Sequence, residues 1–91
     1  MINIVAILQV KDQQTFDKFE SKAISILRSH GGELVTAFET KEKEIHVIQF
    51  HSMNDFISYQ NDPALKQLTE LRSKAIQSTK IYVSDKLKEY E

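Results

Sequence analysis

The sequence predicts an α+β fold of βαββαβ order, a four-stranded antiparallel sheet with helices on one face. Three observations predict it. Short runs rich in Ile and Val alternate with runs of helical apolar spacing in the order strand, helix, strand, strand, helix, strand. The second and third strands are joined by Lys41-Glu42-Lys43-Glu44, short enough for a hairpin. Glycine and proline fall at element ends, in His30-Gly31-Gly32 and Asn61-Asp62-Pro63.

Ile2 to Val10 reads as the first strand, and the polar turn Lys11-Asp12-Gln13 leads from it into a helix with Asp12 as N-cap. From Gln14 to Arg28, Phe16, Phe19, Ala23, Ile26 and Leu27 recur at helical spacing, with Lys18, Glu20, Ser21, Lys22 and Ser25 elsewhere on the wheel. The two glycines stop this helix, because glycine adopts the left-handed conformation without a Cβ penalty. Leu34 to Phe38 is the second strand and Ile45 to Phe50 the third. Ser52-Met53-Asn54-Asp55 resembles a capping box, with Asp in place of the usual Glu or Gln, that opens a short helix through Phe56 and Tyr59. Pro63 breaks that helix, and Asp62 caps a new one with Leu65, Leu68, Leu71, Ala75 and Ile76 as its apolar positions. Thr79 to Ser84 is the fourth strand, and residues 86–91 read as a polar tail beyond a single domain over 1–85. The order is that of the ferredoxin-like or split βαβ arrangement.

A chain of 91 residues buries roughly 60 to 65% of its unfolded surface, a marginal core that a partner would help. With no cysteine there is no disulfide and no thiolate metal or redox site. A net charge of −1 with interleaved signs gives no basic patch for nucleic acid or anionic lipid. The amino terminus lacks the pattern of a secretory signal, and no run reaches the ~20 apolar residues that span a bilayer, so the expected location is cytoplasmic.

Helices cover one face of such a sheet, yet the strands are apolar on both sides. In the first strand Ile2, Ile4, Ala6, Leu8 and Val10 share one face, while Val5 and Ile7 lie on the other between Asn3 and Gln9. In the third, Ile48 and Phe50 lie opposite Ile45 and Val47. An open face carrying Val5, Ile7, Val35, Ile45 and Val47 predicts face-to-face homodimerisation, in which two sheets close into a barrel. Alternation also places Gln9 and Gln49 on that face, with Glu39, Lys80 and Tyr82 as further members.

Four tracts carry a family resemblance over nearly the whole chain: His30-Gly31-Gly32, Val47-Ile48-Gln49-Phe50, the helix break Tyr59-Gln60-Asn61-Asp62-Pro63, and Leu71-Arg72. In this order and spacing the chain resembles the small bacterial proteins grouped as domain of unknown function 1330, within the dimeric α+β-barrel superfamily. The resemblance implies the ferredoxin-like fold and the dimer, and it implies no activity. This chain departs from the family in having Ala37-Phe38-Glu39 in place of Arg-Gly-Gly and Gln49 in place of a strand glutamate. Gln49 cannot act as a general base.

Candidate ligand-binding residues are Gln9, Gln49, His51, Tyr59, Arg72 and Tyr82. Gln9, Gln49 and Tyr82 qualify through convergence on a mostly apolar face. Arg72 offers a rigid fork of donors for a carboxylate or phosphate, against a surface ion pair with Glu70 or an Asp. Tyr59 offers a hydroxyl, against core packing beside Phe56. His51 stands at a strand-to-helix corner; His30 suits the end of its helix dipole. His46 and His51 face opposite sides of a regular strand and form no helical i, i+4 pair with a carboxylate, so no metal site and no cofactor are expected. The third strand lacks the aromatic platform of an RNA-recognition domain, and no glycine-rich loop cradles a nucleotide. Among superfamily members, haem binders are disfavoured by the absence of histidine from Pro63 to Ala75, and the monooxygenase Asn, Trp and His set by the absence of Trp. No nucleophile triad is apparent. The leading expectation is a homodimeric protein binding a small metabolite in a partly apolar cleft. The alternatives are a cofactor-independent isomerase or oxygenase and a ligand-free structural or assembly domain.

Overall fold

A computed structural model describes residues 1–86, so the polar tail expected over 86–91 lies, from 87 onward, outside the described residues. The elements are β1 (Ile2–Val10), α1 (Gln13–Ser29), β2 (Glu33–Glu39), β3 (Lys43–Phe50), α2 (Met53–Gln60), α3 (Pro63–Lys66), α4 (Thr69–Ala75) and β4 (Ile76–Ser84). The strands form one antiparallel sheet in the order β2-β3-β1-β4. This is the ferredoxin-like α+β fold that the sequence predicts.

The punctuation works as polar side chains and glycines require. Asp12 accepts from the Thr15 backbone N–H at 3.0 Å and from the Thr15 hydroxyl, which starts α1. Ser52 accepts from the Asp55 N–H at 3.2 Å to start α2, and Asp62 from the Ala64 N–H at 2.8 Å to start α3 with Pro63 in its first turn. Gly31 takes a φ of +76°, the left-handed turn that ends α1. Gly32 serves close approach instead: a Cβ there would lie 2.7 Å from side-chain atoms of Leu27 and Phe50.

Register assigns the faces. Val5 pairs with Val47 and Tyr82, and Ile7 with Ile45 and Lys80, so these side chains share the open face with Gln9 and Gln49. Ile4, Ala6, Leu8, Glu44, His46, Ile48 and Phe50 turn to the helices. Phe38, 59% exposed, and Tyr82, 58% exposed, widen the apolar part of the open face.

Three details differ from the sequence reading. A bulge skips Val35 between Leu34 and Thr36, which carries Glu39 into register with Glu44 and so to the helical side rather than the open face. The helix after Pro63 divides into α3 and α4, because the Leu68 N–H bonds to the Leu65 carbonyl three residues back and tightens the chain. Ile76 opens β4 instead of extending the helix, three residues ahead of the expected start. It is buried, pairs with Val10 across a second bulge, and follows carbonyls taken by Lys11: its N–H reaches Ala75 O at 2.8 Å and its ammonium Ser73 O at 3.0 Å. Lys11 thus ends α4 without a glycine.

Beneath the helices the core falls into two clusters. One gathers Ala6, Leu8, Phe16, Phe19, Ala23, Ala75 and Ile76. The other gathers Ile4, Leu27, Phe50 and Phe56. A domain of this size ordinarily builds one contiguous core.

Candidate functional site

What interrupts the core is a cavity of about 340 Å³ between the helices and the sheet, walled by residues of both clusters. Its apolar walls include Ile4, Ala6 and Leu8 of β1 and Phe16, Ala23 and Leu27 of α1. The methyl groups of Ala6 and Ala23 leave space that larger side chains would fill. Six polar side chains interrupt these walls: Glu20, His46, Tyr59, Gln60, Arg72 and Thr79. A mostly apolar enclosure with few, separated polar groups is the composition of a small-molecule site.

At one wall, α1 and β3 bring Glu20, Glu44 and His46 together. His46 Nε2 lies 3.0 Å from Glu44 Oε1 and 3.3 Å from Glu20 Oε2. Glu44 and His46 are each 7% exposed, and Gln13 Nε2 donates to the second Glu44 oxygen at 2.9 Å. Burial, followed by the neighbouring Glu44 charge, pushes the Glu20 carboxyl above its ordinary pKa, with His46 acting in the opposite sense. One ligand atom from each residue lies within 4.8 Å of the other two, a spacing that could hold a metal ion.

Toward another wall stand Tyr59 and Arg72. Tyr59 stacks at a tilt on Phe50, with centroids 5.7 Å apart, and lies edge-on to His30 at 6.4 Å. Burial raises the pKa of its hydroxyl, which the Arg72 charge partly offsets. Arg72 Nη2 donates to Thr79 Oγ1 at 2.8 Å, and no carboxylate pairs with its guanidinium among the described residues. The ion pair with Glu70 considered from the sequence is made by Lys74 instead, at 3.4 Å.

The six residues proposed from the sequence therefore separate. Tyr59 and Arg72 reach the cavity. Gln9 and Gln49 lie on the open sheet face, where Gln49 Nε2 donates to Asn3 Oδ1 at 2.8 Å and Gln9 Oε1 accepts from Ser78 at 3.5 Å. Tyr82 shares that face. His51 is exposed outside the cavity and passes close to Gly31. Glu20, His46, Gln60 and Thr79, which also line the cavity, were missed. The signal for His46 is its i, i+2 relation to Glu44, which on a strand puts both side chains on one face, a spacing that helical i, i+4 pairing does not include. Glu20 occupies a position next to Phe19 on the border of the buried stripe of α1.

Comparison with known proteins bears on the family and the fold. The family model for "Domain of unknown function (DUF1330)" matches residues 3–86. No curated protein matches the sequence. Among solved structures, a protein of unknown function from Rhodopseudomonas palustris superposes with a TM-score of 0.83 at 11% identity, over 97% of this chain and 83% of that one. A Caulobacter crescentus protein provisionally described as an antibiotic biosynthesis monooxygenase gives 0.80 at 15% identity, covering 96% and 90%. A NIPSNAP-family protein of unknown function from Agrobacterium tumefaciens gives 0.72 at 21% identity, covering 92% and 86%. At these identities the likeness shows the fold.

Proposed function

The chain belongs to the DUF1330 family, whose description names no activity, and we propose from its own geometry that it is a cytoplasmic homodimer binding a small, largely apolar metabolite with one anionic group. The observation that carries this reading is the cavity of about 340 Å³, whose apolar walls are met by the guanidinium of Arg72, paired with no carboxylate among the described residues. A volume near 340 Å³ is far more than a few waters need, which speaks against a domain filled by its own side chains. Arg72 supplies the geometry for a carboxylate, and Tyr59 and Gln60 supply donors beside it. The open sheet face, with Val5, Ile7, Ile45 and Val47 at its centre and Phe38 and Tyr82 beside them, supports dimerisation. No helix among the described residues is long and apolar enough to cross a membrane.

Cofactor-independent turnover in the same cavity is a second reading. Glu20 and Tyr59, both with raised pKa values, place proton-carrying groups on its walls. The provisional description of the Caulobacter protein as a monooxygenase points the same way.

Thermal shift against a panel of benzoates and branched short-chain carboxylates tests the binding reading. Stabilisation by a subset of the panel, and not by acetate alone, is the expected result. No stabilisation by any member would retire it.

A further inference from the structure

We infer that Glu20, Glu44 and His46 form a three-ligand site for a divalent first-row transition ion, its open coordination positions facing the cavity. Two carboxylate oxygens converge on the same ring nitrogen, at 3.0 and 3.3 Å from His46 Nε2. An imidazole nitrogen carries one in-plane hydrogen or one lone pair, so a single N–H serves two such acceptors poorly. An ion at the point of convergence serves all three groups. Metal–ligand distances of about 2.1 Å give ligand–ligand edges of about 3.0 to 3.4 Å in octahedral and tetrahedral sites, the range of the two observed separations. The third edge, at most 4.8 Å, closes by rotation of Glu20, whose side chain is 29% exposed.

Charge points to the same occupant. Two carboxylates face one imidazole at the apolar wall, and among the described residues no Lys or Arg pairs with either of them. A dication offsets that excess, whereas like charges crowded there otherwise repel. The surroundings also orient the ligands. Gln13 holds the far oxygen of Glu44 and leaves the near one directed at His46, while the Phe16 ring stands edge-on to the imidazole at 6.1 Å. One nitrogen and two oxygens suit zinc, manganese or iron better than calcium or magnesium, which favour all-oxygen shells. Because Glu20 and His46 line the cavity, the bound ion would meet an oxygen of whatever occupies it as a Lewis acid. Ion binding needs no organic ligand, so this inference and the proposed function fail independently.

Calorimetric titration of chelator-treated protein with ZnCl2 tests it. One ion per chain is expected, with affinity falling by about tenfold or more in Glu20→Gln, since even outer-shell changes act on that scale. Glu20 is the most exposed of the three ligands, at 29%, so this variant is expected to keep its fold, which circular dichroism checks. Glu44→Gln should weaken binding likewise, while Glu70→Gln on the outer surface should leave it unchanged. In wild-type protein, Co2+ should develop the visible absorption of a site with nitrogen and oxygen ligands, and Glu20→Gln should lose it. Absence of saturable binding at one ion per chain, or unchanged affinity in both Glu20→Gln and Glu44→Gln, would overturn the inference.

Discussion

Glu44 and His46, two residues apart on β3, turn the same way beneath α1 and hold each other at 3.0 Å, with their side chains each 9% exposed. In such surroundings neither group is indifferent to loss of the other. Removing one partner strands the remaining polar group, a change that costs about 3 kcal/mol or more where the pair is buried. His46→Leu and Glu44→Leu should each destabilise the protein in urea, and the double variant should lose less than their sum. Additive effects would show that the pair is not coupled in the folded chain.

The glycine turn after α1 makes a separate prediction about packing. At Gly31 an added methyl meets only His51, 3.5 Å away, but φ of +76° penalises it by about 1 kcal/mol. At Gly32 the methyl would overlap Leu27 and Phe50 at 2.7 Å, two buried side chains that would have to shift. Gly32→Ala should therefore cost more, about 2 kcal/mol or above. Equal midpoints for the two variants in chemical denaturation would refute the close-approach account.

These glycines show why much of the fold is legible in the chain. Asp12, Ser52, Asp62 and Pro63 act locally, through side chains and dihedrals that reach only a few residues, and strand alternation is fixed by the backbone period. β1 therefore begins and ends where the sequence reading puts it, and the side-chain N-caps Asp12, Ser52 and Asp62 fall at their expected residues. Long-range contacts are less legible. Nothing near Ile76 announces that Lys11, on another element, will take the carbonyls of Ser73 and Ala75 and release the chain into a strand. The bulge at Val35 likewise moves Glu39 across the sheet with no glycine to mark it. The candidate site suffers most, because its members meet only in space: Arg72 and Tyr59 carried a motif, whereas Glu20 and His46 needed the packing of α1 on β3 to become neighbours.

The junction of α1 and α3 should be sensitive to acid. His30 Nε2 lies 2.7 Å from Asp62 Oδ2, linking the C-cap of one helix to the N-cap of the other. That hydrogen bond, followed by the one from the Ala64 N–H, holds the Asp62 carboxyl below its ordinary value of 3.8. A depressed carboxyl contributes stability that is present above its unfolded pKa of about 3.9 and is lost as pH falls through the folded value. Asn is an equally good N-cap, so Asp62→Asn removes the charge alone. The Tm of wild type should exceed that of Asp62→Asn at pH 6, and the difference should shrink progressively as pH falls below about 4. A gap that stays constant across this range would exclude the Asp62 carboxylate charge as its source.

The open sheet face predicts a self-association that one charge can break. Wild-type protein at micromolar concentration should scatter light with a mass near twice the 10.5 kDa of the chain. Val47→Lys, at the centre of that face opposite Val5, should shift the mass to one chain while circular dichroism stays unchanged. A single-chain mass for the wild type would remove the dimer from this account.

Whether the cavity receives a small amphipathic anion is read directly by titrating three proteins with 4-ethylbenzoate. Wild type should bind it. Ala23→Leu, which fills the cavity from α1, should lose that binding with the fold intact, and Arg72→Ala should weaken it by about tenfold, as expected for one charge-assisted hydrogen bond. Equal affinity in all three proteins would place the ligand elsewhere and contradict the account.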